Sequence, residues 1–289
     1  MSNTQMNISI NREYKDRLFT MIFGNNESKH NILSLYNALY DTNHTNEDHV
    51  EITTIEDVIY IKMKNDVSLL LDSYLSLWEQ QSTFNPNMPV RGLMYYGNLY
   101  NSYIKKHALP IYGSTLAKIP TPRYIVFYNG NSDRESIEKL KLSDAFIHKD
   151  TNHEFEWTAT MINLNKGKNE ELLSKCKPLS DYMTLINKIN LYNKSESTIE
   201  QAVERAINEC IEENVMADFL QQHKGDVMST CLTEFDEKAY RKGIHIEIAI
   251  ELFRNNVSYE QVRNSIQNIS DEQLKELYDE VQAEKKLNK

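Results

Sequence analysis

The chain has 289 residues, of which 40% are hydrophobic and 26% are charged, and this composition is typical of a folded globular protein. Its formal net charge is −10, and the acid excess runs through both halves of the chain. This charge counts against non-specific binding of nucleic acid by bulk electrostatics, although a local basic groove beside acidic metal ligands stays compatible with it. The three cysteines are far apart and form no CxxC pair, so we expect neither a disulfide framework nor a zinc site.

The amino-terminal sequence is polar and lacks the apolar core of a signal peptide. No apolar run in the chain approaches the length of a membrane span. We therefore expect a cytoplasmic protein that has no membrane partner.

The first 81 residues predict two helices followed by a β-hairpin. Residues 14–24 carry an apolar stripe at helical spacing that ends at a glycine, and residues 29–40 repeat this spacing. Residues 57–81 are β-branched and aliphatic on both sides of Asp72-Ser73, which is typical of two strands joined by a turn.

The middle of the chain predicts one helix and two further strands. Pro89 fits the first turn of a helix over residues 89–107, since proline lacks the N–H that this position leaves unpaired. Residues 123–128 form an apolar run closed by an Asn-Gly pair, which is typical of a strand that ends in a turn. Residues 154–164 predict another strand.

After residue 165 the pattern predicts helices alone. They cover residues 169–176, 179–192, 197–222 and 235–254. Ser258 and Ser270, each followed three residues later by a glutamine (Gln261 and Gln273), are typical of capping boxes that begin further helices. We therefore expect an α/β domain over residues 1–165 and a helical C-terminal region over residues 166–289.

The register of the predicted hairpin follows from its turn. A two-residue turn at Asp72-Ser73 pairs Leu71 with Tyr74, and every other pair then follows by counting away from the turn. Residues that stand directly opposite each other share a face of the sheet, with Cβ atoms about 4.5–5.5 Å apart.

This register gathers four polar residues at the open end of the hairpin. Asp66 lies opposite Glu79, and Lys64 lies opposite Gln81. Two carboxylates at this distance repel each other unless a cation or a shared proton intervenes, and Mg²⁺ suits such a pair. A cation held there can assist phosphodiester hydrolysis. The alternative is an ordinary pair of acids on a solvated strand surface.

Several segments together resemble one known family. They are DRLF at 16–19, IFG at 22–24, LYNAL at 35–39, ITTIEDVIYIKMKNDVSLLLD at 52–72, WEQQSTFNPNMPVRGLMYYGNLY at 78–100, and PTPRYIVFYNG at 120–130. This set resembles the Rpn family of recombination-promoting nucleases, also described as PD-(D/E)XK nuclease family transposases. The resemblance covers about residues 14–165. It implies a restriction-endonuclease-like α/β core and Mg²⁺-dependent cleavage of DNA, with Mn²⁺ or Ca²⁺ as alternative ions.

The resemblance also implies roles for particular residues. It assigns Asp66 and Glu79 as the two metal-binding acids, and it puts Gln81 at the position of the motif lysine. Asp16 matches a family-typical acid that assists the metal site, although an acid in the first turn of a helix is also favoured by the helix dipole.

Two positions depart from the broader motif. Asn65 replaces the proline before the first acid, which we expect to be harmless. Gln81 replaces the lysine, and a glutamine carries no positive charge and cannot act as a base. Lys64 is a candidate to supply that charge, with a solvated strand lysine as the alternative.

Three further cations are candidates for contacts with nucleic acid. Arg91 begins the predicted third helix, where its guanidinium suits a phosphate, and Lys105 and Lys106 end that helix. Each has a plain alternative, because basic side chains are common on helix surfaces and favour the carboxyl end of the helix dipole.

The expectation is thus a metal-dependent DNA endonuclease associated with mobile elements, recombination or phage defence. A homodimer suits an enzyme that cuts both strands. The replacement of the lysine by Gln81 leaves a second hypothesis open, namely a catalytically weak or inactive relative that binds DNA or a protein. A third hypothesis is a regulatory helical protein in which residues 1–165 are only a scaffold.

Overall fold

The computed structural model describes residues 13–53, 66–148, 154–196, 198–232, 237–255, 257–266 and 269–287. The chain divides into two compact units, Met1–Thr233 and Glu234–Lys289, which are described separately below.

The first unit contains a mixed six-stranded sheet, so the predicted α/β class is confirmed. The strands are β1 (Glu51–Ile52), β2 (Val67–Leu71), β3 (Tyr74–Gln81), β4 (Thr121–Tyr128), β5 (Ile137–Lys141) and β6 (Thr158–Asn163). Their order across the sheet is β1-β2-β3-β4-β6-β5. Strands β3, β4 and β6 are parallel, and the other neighbours are antiparallel.

Helices cover both faces of this sheet. They are α1 (Tyr14–Phe23), α2 (Lys29–Tyr40), α3 (Met88–Lys106), α4 (Glu170–Lys175), α5 (Lys177–Tyr192), α6 (Ile199–Glu212) and α7 (Ala217–Leu232). Helix α3 connects β3 to β4, as the crossover between two parallel strands requires. It packs on one face against side chains such as Leu77 and Val126. Helices α1, α2, α5, α6 and α7 build the larger core on the other face, around Trp78 and Phe127.

The hairpin has the predicted register. Leu71 pairs with Tyr74, and the ladder continues to the pair of Val67 and Trp78. Asp72 and Ser73 both have positive φ, 49° and 63°, which is the backbone of a type I′ turn. This turn matches the right-handed twist of the two strands and therefore fixes the pairing. The predicted strand residues 57–65 lie outside the described residues.

The C-terminal half differs from the sequence pattern in two respects. The predicted single helix over residues 197–222 is instead two helices, α6 and α7, because the backbone takes left-handed conformations at Asn214 and Met216, with φ of 58° and 45°. The first compact unit also continues to Thr233, past the boundary expected at 165, because α5, α6 and α7 share the core of the sheet. Beyond Asn163 the described elements are all helices, as the pattern predicts.

The three cysteines lie between α4 and α5, in α6 and in α7. Cys176, Cys210 and Cys231 are unpaired and fully buried in the larger core. Burial raises the pKa of all three thiols, that of Cys210 to about 11 and that of Cys231 to about 12.

The second unit consists of α8 (Glu237–Arg254), α9 (Tyr259–Ser265) and α10 (Asp271–Leu287). Its small core includes Phe253, Val262 and Leu274. The predicted capping box at the start of α9 is confirmed, since Ser258 and Gln261 each accept a backbone N–H of the other. Within the described ranges, no helix has the length and apolar character needed to cross a membrane.

Candidate active site

The two acids of the hairpin lie together and are buried. Asp66 directly precedes β2, and since Val67 pairs with Trp78, Asp66 stands across from Glu79 on the face that α3 covers. The exposed fractions of Asp66 and Glu79 are only 4% and 2%. The pair is therefore part of the protein interior, which rules out the alternative of a solvated strand surface.

Glu79 is held by three side chains. Its Oε2 accepts a hydrogen bond of 2.6 Å from the hydroxyl of Tyr124, and its Oε1 accepts one of 2.8 Å from Nε2 of Gln81. The guanidinium of Arg91 forms an ion pair with the same Oε1. Burial raises the pKa of Glu79, and the charge of Arg91 and the two hydrogen bonds oppose that rise. Glu79 is thus a fixed carboxylate whose nearest positive charge is Arg91.

Asp66 and Asp16 add two more carboxyl groups to this region. Burial and the charge of Glu79 hold the pKa of Asp66 well above its usual range. Asp16 lies in the first turn of α1, and burial together with the charges of Glu79 and Glu13 raises its pKa to about 8. Its Oδ1 is buried and has no hydrogen-bond partner among the described residues. Asp16, Asp66 and Glu79, called the acid cluster below, are therefore three carboxyl groups beside the single guanidinium of Arg91.

The opposite face of β3 carries a second buried polar group. Nζ of Lys15, whose residue is 9% exposed, donates to the carbonyl oxygen and to Oδ1 of Asn129 at 3.1 and 3.3 Å. Gln80 donates to the same Oδ1 at 2.7 Å. Burial lowers the pKa of Lys15. These contacts tie α1 to the carboxyl ends of β3 and β4. They therefore fix the end of β3 on which Glu79 lies.

Sequence reasoning missed two of the contacts around Glu79. Tyr124 lies on β4, and the parallel pairing of β4 with β3 sets it beside Leu77. This pairing brings its hydroxyl to Glu79. The apolar run of residues 123–128 predicts a strand, but it does not say which side chain the hydroxyl of Tyr124 contacts. Arg91 was predicted as a phosphate contact, and the structure places it on Glu79.

The two predicted lysines of α3 lie away from the acid cluster. Lys64 is outside the described residues. Lys105 and Lys106 end α3, about 21 Å along the helix from Arg91, so the structure does not bring them to the acid cluster. Lys106 pairs with Glu51 at 2.7 Å, and both side chains are exposed.

Two glycines of α3 offer a test of how tightly Tyr124 is held. A Cβ on Gly92 would lie 2.4 Å from Cε1 of Tyr124, whereas a Cβ on Gly97 would meet no atom within 4 Å. Gly97→Ala is expected to stabilise the protein by about 1 kcal/mol through helix propensity. Gly92→Ala is expected to destabilise it by about 1–3 kcal/mol, because α3 or the ring must move.

Urea denaturation of the two variants, followed by tryptophan fluorescence, measures this difference. Trp78 and Trp157 are the two tryptophans of the chain, and both lie in the first unit. Equal effects of the two substitutions would contradict the close packing of α3 on Tyr124.

The donor atoms of the acid cluster suit a hard divalent cation. Asp66, directly before β2, and Glu79, on β3, provide carboxylate oxygens, and the buried Oδ1 of Asp16 has no hydrogen-bond partner in the described structure. Mg²⁺ commonly takes one or two carboxylates and completes its shell with water. No group of three or more His, Cys, Asp or Glu side chains within the described ranges is arranged to hold a metal ion. The residues thus fit an open two-carboxylate site and not a preformed cage.

No protein-family model, no curated protein and no solved structure matches this chain. The resemblance to Rpn nucleases therefore remains an expectation from the sequence, and the acid cluster must be interpreted from its own geometry.

Proposed function

We propose that the protein is a Mg²⁺-dependent phosphodiester hydrolase that cuts DNA, built on a restriction-endonuclease-like PD-(D/E)XK core. The observation that carries the proposal is the buried pair of Asp66 and Glu79, opposed on one hairpin. Folding buries these two carboxylates at a cost, and a divalent cation is the ligand that offsets it. Mn²⁺ and Ca²⁺ share the same preference for oxygen ligands.

Asp66 and Glu79 would hold the cation, with Asp16 as the third acid within electrostatic reach. When bound, the cation supplies Lewis acidity at a phosphoryl oxygen and lowers the pKa of a water molecule. The hydroxyl of Tyr124 and the amide of Gln81 keep Glu79 in a single orientation. These two side chains thereby strengthen metal binding, because a carboxylate that changes orientation holds a cation less tightly.

Gln81 and Arg91 have separate roles in this proposal. Nε2 of Gln81 is used by Glu79, so its carbonyl oxygen is left to accept a hydrogen bond from the attacking water. Asp16, with a pKa raised to about 8, can release and take back a proton at slightly alkaline pH, which Gln81 cannot do. Arg91 keeps further N–H groups for a phosphate oxygen after one has paired with Glu79.

A second candidate function is DNA or protein binding without cleavage. It is favoured by the ion pair of Arg91 with Glu79, because that guanidinium already neutralises one of the two carboxylates. Gln81 in place of a lysine favours it as well.

Cleavage of supercoiled plasmid in Mg²⁺ separates the two functions. The test compares the wild type with Asp66→Ala/Glu79→Ala and with the matched control Glu47→Ala/Asp48→Ala, which removes two exposed acids. We expect nicking by the wild type and by the control. We expect the acid-cluster variant to lose at least about 100-fold in rate, the scale on which metal-site partners act.

Two results would overturn the proposal. The first is equal nicking by the acid-cluster variant and the wild type, which points to a contaminating nuclease. The second is a wild type that binds Mg²⁺ in a calorimetric titration and cuts neither plasmid nor single-stranded DNA, which leaves the binding function.

A further inference from the structure

One segment of the chain has a charge opposite to that of the whole. Asp and Glu make up 42 of the 289 residues, yet residues 80–132 contain none of them. The same 53 residues contain five cations, Arg91, Lys105, Lys106, Lys118 and Arg123. This stretch, called the acid-free segment, runs from the end of β3 through α3 and the following loop into β4.

Most exposed residues of the acid-free segment lie on the outer face of α3 and in the loop over residues 107–120. The exposed helix positions alternate with the buried ones and bear no negative charge. They are Leu93, Met94, Gly97, Asn98, Asn101, Ser102, Lys105 and Lys106. Arg91 lies at one end of this face, beside the acid cluster, and the two lysines lie at the other end. A polyanion lying along α3 would therefore meet Arg91 at one end and Lys105 at the other, whereas Lys106 is paired with the exposed Glu51.

The loop that follows α3 exposes large apolar side chains and a lysine. Tyr112 is 98% exposed and Leu116 is 84% exposed, and Lys118 between them and β4 is exposed too. Exposed aromatic rings beside cations are the usual elements of surfaces that bind single-stranded nucleic acid, since bases stack on the rings and phosphates pair with the cations. A duplex hides its base faces and would leave these side chains in water.

We propose that the outer face of α3 and the loop over residues 107–120 bind a single strand of DNA and lead it toward the acid cluster. The choice of DNA rests on the proposed function. Phosphates pair with Lys105 and Lys118, a base stacks on Tyr112, and the strand continues along α3 to Arg91. Such a path requires a site of at least about four nucleotides. The net charge of −10 does not prevent this binding, because the acids are concentrated outside the segment.

Fluorescence anisotropy with a fluorescein-labelled 20-nucleotide single strand tests this surface. The measurement is made in EDTA, which stops any metal-dependent cleavage. Lys105→Glu/Lys118→Glu is compared with Lys141→Glu/Lys194→Glu, which reverses two exposed lysines outside the segment and changes the net charge equally. We expect the first variant to weaken binding at least tenfold more than the control does.

Two further variants separate charge from stacking. Tyr112→Ala is expected to weaken binding about fivefold or more, and Tyr112→Phe, which keeps the ring, is expected to bind like the wild type. With Lys105→Ala/Lys118→Ala, the slope of log K against log salt is expected to fall by about 1.4, since each phosphate contact to a single strand contributes about 0.7.

Several outcomes overturn the proposal. They are an equal loss in the surface variant and its control, tighter binding of a duplex of the same sequence, and no binding of the single strand by the wild type. Failure of the proposed function looks different, because the wild type would then bind the strand through this surface without cutting it. Cutting that persists in Lys105→Glu/Lys118→Glu with unchanged binding would instead leave the hydrolase and remove the surface.

Discussion

Without divalent cations, the protein is expected to lose stability as the pH rises from about 5.5 to about 8.5, by about 3 kcal/mol through Asp16 alone. In the unfolded chain an aspartate titrates near pH 4, so Asp16 is ionised there throughout this range. In the folded chain Asp16 keeps its proton until about pH 8. The folded state therefore binds the extra proton, and its stabilising effect is lost as the pH rises toward 8.

Urea denaturation in EDTA at several pH values, followed by tryptophan fluorescence, measures this loss. Asp16→Asn is expected to flatten the profile, whereas Asp48→Asn, at an exposed position, is expected to leave it unchanged. Mg²⁺ at the upper pH is expected to restore stability to the wild type, because an ion that binds only the folded state stabilises it. A wild type whose stability rises over this range, in parallel with Asp16→Asn, would show that Asp16 is not buried in a protonated form.

Arg91→Met is expected to destabilise the metal-free protein by about 3 kcal/mol at pH 7.5, because it leaves Glu79 buried without its counter-charge. Glu79→Gln removes the other partner. In a double-mutant cycle, the free energy of unfolding of the double variant is expected to exceed the additive value by at least about 2 kcal/mol.

The ion pair of Lys175 with Glu171 serves as the comparison, since it also joins a basic side chain to a glutamate. Unlike the pair of Arg91 and Glu79 it is exposed, with 40% of the Lys175 side chain and 81% of the Glu171 side chain accessible to solvent. Its coupling is expected to be much smaller than that of the buried pair, because solvent screens exposed charges. We also expect Mg²⁺ to reduce the defect of Arg91→Met, because the cation takes over the compensation of Glu79. A coupling as small as that of the surface pair would rule out Arg91 as the counter-ion of Glu79.

The hairpin shows why part of the site could be predicted from the sequence. Its register depends on the two-residue turn at Asp72-Ser73 and on the alternation of the strands, which are both local features. The opposition of Asp66 and Glu79 follows from that register. Helices α1, α2 and α3 could also be predicted from the sequence. Their apolar positions recur at helical spacing, and Pro89 marks the start of α3.

Other features depend on residues far apart in the sequence and so left no local signal. Tyr124 meets Glu79 across two parallel strands, and Lys15 meets Asn129 across 114 positions.

Two local features also differ from what the sequence pattern predicts. The break between α6 and α7 depends on left-handed backbone at Asn214 and Met216, whereas the side chains of the surrounding sequence continue the helical spacing. Short β5 alternates in burial without a strongly apolar face, so its sequence does not predict a strand.

The three buried thiols allow the opening of the first unit to be measured by thiol alkylation. Thiolates are the reactive form of cysteine, and the raised pKa values of Cys176, Cys210 and Cys231 keep them protonated at neutral pH. Alkylation must therefore wait for the helices around them to open, so the labelling rate measures how often this unit opens. Residues 234–289 contain no cysteine and are silent in such an experiment. Mass spectrometry of a pulse-labelled sample would thus follow the opening of one unit in the intact chain, without truncating the protein.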